Sequence, residues 1–185
     1  QSLQFFTRHA DKFREKQGLV AEHSQYTNSL LDLLRSLELR QRQRVMEVGP
    51  GQGELLAVLA QQFNEVIALD NAAEMLNQAK ATVAQTAAKN VAFILGDTHK
   101  ALEMQLRCDL ILFDMVLHHL PSPHEAFQHA QTLLNEEGVL LIVEPGTPAG
   151  YARILEARDA LISQGAHVAA PCPHEATCPL TSPDW

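Results

Sequence analysis

The sequence predicts an α/β fold: a doubly wound, mainly parallel sheet with helices on both faces. Three observations carry this expectation. From residue 44 onward, apolar stretches of strand length alternate with segments of helical periodicity. Most of these stretches, such as Leu110–Phe113 and Val139–Val143, are continuous apolar runs, as strands covered on both faces require. A glycine-rich turn, Gly49-Pro50-Gly51-Gln52-Gly53, follows the first of them. Right-handed crossovers convert such alternation into an open parallel sheet.

Residues 1–44 read as a helical segment. Tyr26, Leu30, Leu31, Leu34 and Leu37 recur at helical spacing, and Gly18 separates a shorter helix around Phe5–Lys16. The core is expected over 45–164. Its strands are Val45–Val48, Glu65–Asp70, Val91–Leu95, Leu110–Met115 and Val139–Glu144. Its helices are Glu54–Phe63, Ala72–Ala88, Ser122–Leu134 (stopped by Gly138) and Tyr151–Ser163. A Pro- and Cys-containing tail, 165–185, has little periodicity, with at most one further strand around His167–Ala170.

At 185 residues the chain has the length of one domain, and 46% hydrophobic with 19% charged residues is ordinary for a globular protein. A disordered chain, a collagen and a disulfide-dense mini-protein are excluded. No apolar run approaches the ~18 residues of a membrane span. The opening Gln-Ser-Leu-Gln lacks the basic start and apolar stretch of a secretory signal. With three cysteines, the expectation is a reducing compartment, the cytoplasm, with the mitochondrial matrix as alternative. The formal charge of −8 argues against general nucleic-acid binding. Residues 1–44, however, hold eight Lys/Arg against five Asp/Glu, leaving a basic segment beside an acidic body. No oligomeric state is legible.

In an open α/β sheet the ligand sits at the carboxyl ends of the strands. A dinucleotide fingerprint needs glycines at relative positions 0, 2 and 5. Here Gly49, Gly51 and Gly53 stand at 0, 2 and 4, and Glu54 occupies position 5. A carboxylate there repels a pyrophosphate but tolerates a ligand without phosphate that carries a positive sulfonium. No Gly-Lys-Ser/Thr follows, which excludes a Walker loop. Asp70 ends the second strand, 21 residues after Gly49, where a carboxylate accepts hydrogen bonds from ribose hydroxyls. Gly96-Asp97 ends the third, where an acid can bind an adenine amine. Asp70-Asn71 also suits a helix cap. The register of the three features on successive strands favours nucleoside binding.

These motifs, with Glu47-Val48 before the glycines, Cys108-Asp109-Leu110-Ile111-Leu112-Phe113-Asp114, Val116-Leu117-His118-His119-Leu120-Pro121 and Gly138–Glu144, resemble class I S-adenosylmethionine-dependent methyltransferases, which have a Rossmann-like fold. The style is that of small-molecule enzymes similar to those of ubiquinone biosynthesis and to those fused to metal-responsive repressors. Phe5-Phe6-Thr7-Arg8-His9-Ala10 is similar to their entry helix. The resemblance implies that Gly49, Gly51 and Gly53 line the methionine part of S-adenosylmethionine. Asp70, with Asn71, would hold the ribose, and Asp97 with Thr98 would lie beside the adenine. Asp114 and Met115 would flank the point where methyl meets acceptor. Glu47 would orient the loop or the ligand's amino group. The acceptor is a small molecule or ribosomal RNA. Two readings of His118 and His119 stay open, a catalytic base for the acceptor's proton or a polar turn into Pro121. His124 and His129 read as surface residues.

The tail differs. Glu144-Pro145-Gly146-Thr147-Pro148-Ala149-Gly150-Tyr151, Gly165 to His174 with Pro171-Cys172-Pro173, Cys178-Pro179-Leu180 and Asp184-Trp185 resemble the methyltransferase-like proteins of the mitochondrial small ribosomal subunit and their bacterial relatives. That branch implies action on small-subunit ribosomal RNA, or assembly of the subunit with little or no catalysis. It also implies an iron–sulfur cluster in a longer form, two of whose ligands match Cys172 and Cys178. A cluster needs about four thiolates, and zinc through Cys172, His174 and Cys178 lacks a fourth ligand. Two free thiols in an ordered loop are the other reading. Cys108 reads as a buried apolar residue. The character of the chain changes near Glu144-Pro145.

Overall fold

Among the described residues five strands form one sheet in the order β3-β2-β1-β4-β5. They are β1 (Arg44–Val48), β2 (Glu65–Asp70), β3 (Val91–Leu95), β4 (Cys108–Asp114) and β5 (Leu134–Val143). All four pairings are parallel. The structure is a computed structural model and describes residues 23–178. The helix expected around Phe5–Lys16, the Gly18 break and the Asp184-Trp185 end lie outside the described residues. The helices are α1 (His23–Ser36), α2 (Leu56–Leu59), α3 (Ala73–Ala84), α4 (Thr98–Glu103), α5 (Pro123–Leu133) and α6 (Pro148–Ser163). The order reverses at β1, between β2 and β4, and opens a crevice at the carboxyl ends there.

Side chains alternate across the sheet and so build two cores. On one face Val45, Ala68, Leu110 and Leu112 pack with Leu30 and Leu34 of α1, Leu56 and Leu59 of α2, and Leu76 and Ala79 of α3. On the other face Met46, Ile67, Ile111 and Phe113 meet Ala101 of α4, Phe127 and Ala130 of α5, and Ala157 of α6. Each face is apolar, which is why the strands read as continuous runs.

Three expected elements differ. The Glu54–Phe63 helix is regular only over Leu56–Leu59; beyond it bonds such as Gln61 N–H to the Val58 carbonyl tighten the chain into turns. Strand β5 starts at Leu134, well before Val139. Its pairing jumps from Cys108↔Leu134 to Leu110↔Val139, and Glu137 takes φ +62 inside this irregularity. His167–Ala170 forms no strand. That apolar stretch has no sheet partner to supply a ladder.

At the amino ends of the strands, Asp109 is a buried anchor. Its carboxylate accepts from the Gln43 and Arg44 backbone N–H groups at 2.7 and 3.0 Å, and from Asn135 Nδ2 at 2.8 Å. It ties the entry of β1 to β4 and to the irregular start of β5. Asp109→Ala strands these donors and is expected to cost about 1–3 kcal/mol in denaturant unfolding, with Asp109→Asn costing less.

Candidate functional site

The residues at the carboxyl ends of the strands form the site. Strand β1 ends in Glu47 and Val48 and turns at Gly49 (φ +69), whose N–H donates to the Leu69 carbonyl at 2.8 Å. A Cβ at Gly49 would stand 2.5 Å from Val116 Cγ2. Gly53 (φ +79) is as constrained: a Cβ there would lie 2.8 Å from the Ala79 Cα of α3. The third glycine of the loop therefore lets α3 close against it, which explains a glycine at position 4 rather than 5. Gly51 has φ +56.

The register then gathers acids. Glu47 pairs with Ala68 on β2 and with Leu112 on β4. Residues two positions apart on a strand share a face. Glu47, Asp70 and Asp114 thus project from the face covered by α1. Glu47 is 2% exposed, and its Oε2 has no hydrogen-bond partner among the described residues. Burial, then the neighbouring Asp114, pushes its carboxyl up to about 8. Burial also pushes Asp114 up to about 6, although the Tyr26 hydroxyl of α1 donates a hydrogen bond to its Oδ1 and opposes the shift. The Tyr26 phenol is itself pushed well above its ordinary value, by burial first and by Asp114 second.

Asp70 is half-buried. Its Oδ1 accepts from the Ala72 N–H at 2.8 Å, the cap expected of an acid before a helix, and burial holds its carboxyl above the ordinary value. Asn71 beside it is exposed. Asp97 caps α4 by accepting from the Lys100 N–H at 3.1 Å. Thr98 is buried, and its Oγ1 lies 2.8 Å from His129 Nδ1. His129, expected at the surface, is therefore a half-buried member of the α4–α5 contact, whereas His124 is exposed. The surface expectation holds for His124 and fails for His129, because helical periodicity reports the face of one helix and not what packs against that face. Met115 takes φ +52 and donates its N–H to the Val143 carbonyl at 2.8 Å.

A second cluster adjoins Asp114. The Glu144 side chain, at the end of β5, is fully buried; its Oε1 accepts from the Leu117 N–H at 3.0 Å and its Oε2 from Arg153 Nε at 2.7 Å. His118 Nδ1 stands 3.5 Å from the same Oε2, and the His118 and His119 rings lie 3.9 Å apart. Burial, then His118, pushes His119 down to about 4. Tyr26, Glu144 and Arg153 were not expected as site residues. Tyr26 read as part of an apolar stripe. Glu144 had a usable signal, since an acid ends or follows β2, β3, β4 and β5 alike.

A family model described as mitochondrial small ribosomal subunit Rsm22 matches residues 18–185. This chain belongs to the Rsm22 family. The single match spans Glu144-Pro145, so the change of character there falls inside one family. The human protein named ribosome assembly protein METTL17, mitochondrial, is 28% identical over 156 residues, covering 75% of this chain and 34% of that protein. The tRNA 5-carboxymethoxyuridine methyltransferase of Escherichia coli (strain K12) is 31% identical over 105 residues, covering 56% of this chain and 40% of the enzyme. The chain thus spans about a third to two-fifths of these relatives. Among solved structures, the N-methyltransferase NodS of Bradyrhizobium japonicum WM9, in complex with S-adenosylhomocysteine, superposes with TM-score 0.63 at 17% identity over 76% of this chain and 71% of NodS. A Methanobacterium thermoautotrophicum protein named precorrin 8w decarboxylase gives 0.62 at 19% identity over 80% and 74% of the two chains. The shared fold is the Rossmann-like methyltransferase fold, and a decarboxylase within it shows that fold alone does not set the reaction.

The described residues do not fit an iron–sulfur cluster. Cys172 is exposed, Cys178 Sγ lies 3.3 Å from the Tyr151 hydroxyl, and Cys108 is buried in the sheet with its thiol pushed up to about 12. Among the described residues no group of three or more His, Cys, Asp or Glu is placed to hold a metal ion. No helix among them is long and apolar enough to cross a membrane.

Proposed function

We propose that this protein binds S-adenosylmethionine at the carboxyl ends of β1 to β4 and transfers its methyl group to RNA of the small ribosomal subunit. The observation that carries the binding is the buried Glu47 Oε2 beside the glycine turn, which has no hydrogen-bond partner among the described residues. A buried acceptor without a partner is costly unless a ligand supplies a donor, and the cofactor's ammonium is such a donor. In this reading Asp70 holds the ribose, Asp97 lies beside the adenine, and Gly49 to Gly53 line the methionine chain. The family and the METTL17 name support the ribosomal acceptor over a small molecule. The mitochondrial names support the matrix over the cytoplasm.

Methyl transfer is an in-line displacement on a carbon the cofactor has already activated. The protein supplies alignment and dehydration. His119, neutral at pH 7, and His118 beside Glu144 are the bases available if the acceptor carries a proton. Asp70→Ala is expected to weaken cofactor binding by about 1–3 kcal/mol, read by titration calorimetry with S-adenosylhomocysteine. Unchanged affinity removes the ribose assignment.

A second reading, favoured by the assembly role in the human relative's name, is assembly of the small subunit with little or no transfer. Labelled methyl incorporation into isolated small subunits separates the two. Incorporation supports transfer; co-sedimentation without incorporation supports assembly.

A further inference from the structure

Acids stand at or just beyond the carboxyl ends of the strands: Glu47, Asp70, Asp97, Asp114 and Glu144. RNA carries a negative charge at every nucleotide, so such a rim repels it unless a cation meets the backbone. Lys100, in the helix after β3, is spent on Glu103 at 2.9 Å. Arg153 on α6 is held differently. Its Nε donates to Glu144 Oε2 at 2.7 Å, while Nη1 and Nη2 have no hydrogen-bond partner among the described residues. The Arg153 side chain is 30% exposed, and the Glu144 side chain beneath it is fully buried. Val143 pairs with Asp114, and its carbonyl accepts from the Met115 N–H, so Glu144 follows directly on the rung that carries Asp114 and Met115. We propose that Arg153, oriented by Glu144, holds a phosphodiester of the RNA acceptor through its Nη1 and Nη2 edge. This rests on the reading of a small-subunit RNA acceptor and adds to it the residue that grips the backbone beside the reacting nucleotide.

A guanidinium presents its N–H donors in a planar fork that matches two oxygens of a phosphate. Holding Nε on a carboxylate out of water removes rotamer freedom before RNA arrives, so less entropy is lost on binding. Glu144 is itself fixed, because its Oε1 accepts from the Leu117 N–H at 3.0 Å in the turn after β4. His118 Nδ1 stands 3.5 Å from Oε2 and occupies another approach to that carboxylate. Both carboxylate oxygens therefore have partners, and the guanidinium meets Glu144 through Nε alone. Its outer edge is left for a second anion. Backbone contacts of this kind position a nucleic acid without reading its sequence.

Two measurements test it. The first is fluorescence anisotropy with a short single-stranded RNA from the small-subunit ribosomal RNA, titrated across a series of salt concentrations. Arg153→Gln keeps a donor for Glu144 and removes the fork. It is expected to weaken binding by about five- to tenfold at low salt. The slope of log affinity against log salt should fall in size by about 0.7, the share of a single phosphate contact on a single strand. Arg153→Lys keeps the charge without the fork, so it should retain the slope and lose part of the affinity. A merely structural tie between α6 and β5 would lower the melting temperature of both variants and leave the slope at its wild-type value. The second measurement needs no variant and decides if the substitutions do not fold. Phenylglyoxal, which condenses with the terminal guanidinium nitrogens, is applied to the wild-type chain, and the Arg153 adduct is read by mass spectrometry. The RNA is expected to suppress that adduct, and inorganic phosphate at the same phosphate concentration to leave it. Equal protection by the two, or an unchanged slope in Arg153→Gln while the wild type binds RNA, overturns the proposal and leaves the RNA reading intact. A wild-type chain that does not bind RNA at low salt overturns the RNA reading and this proposal together.

Discussion

Gly53→Ala is expected to destabilise the fold by about 2–5 kcal/mol in denaturant unfolding. The backbone at Gly53 has φ +79, a region costing an L-residue roughly 1–2 kcal/mol. The added methyl would also sit 2.8 Å from Ala79 Cα and 2.9 Å from Ala79 Cβ. Ala79 is fully buried in the middle of α3, so the helix cannot yield without opening the core formed with Leu56, Leu59 and Leu76. Overpacking of this kind adds about 1–3 kcal/mol. Gly165→Ala meets only the backbone penalty of φ +88, with nothing within 4 Å of the added Cβ, and serves as the milder comparison. Equal losses for the two would show that α3 does not press on the loop.

Raising pH from 5 to 8 is expected to destabilise the unliganded protein, by an amount on the order of 2–4 kcal/mol, with Glu47→Gln flattening the profile. The sign is the reverse of the usual carboxylate case. Glu47 has an ordinary value of 4.5 and is pushed up to about 8 in the fold. Between those values the folded protein keeps a proton that the unfolded chain has lost. The stability it contributes is complete below 4.5 and gone above about 8. Asp114 acts in the same direction between 3.8 and about 6. Melting temperatures measured across this range, in wild type and Glu47→Gln, check the sign. A wild-type protein more stable at pH 8 than at pH 5 would contradict the buried, protonated state.

Strand identities and the parallel sheet were legible because both faces of β1, β2 and β4 are covered, which leaves unbroken apolar runs. The beginning of β5 was not, since Asn135, Glu136 and Glu137 look like a turn and join the sheet only through the register jump opposite Cys108 and Leu110. The acids at the strand ends were visible as a pattern. Their interaction was not, because it depends on which face each one takes and on Tyr26, 88 residues from Asp114 in sequence. Thr98 and His129 were hidden for the same reason: a contact between two helices leaves no period in either.

The central claim is that a nucleoside with a sulfur-bearing side chain occupies the crevice where the sheet reverses direction. A crystal structure of the chain grown with S-adenosylhomocysteine tests it most directly. The account predicts the ribose at Asp70, the adenine beside Asp97 and the amino group against Glu47. A ligand bound elsewhere, or a crevice closed by Tyr26 with Glu47 still unpartnered at saturating ligand, would contradict it.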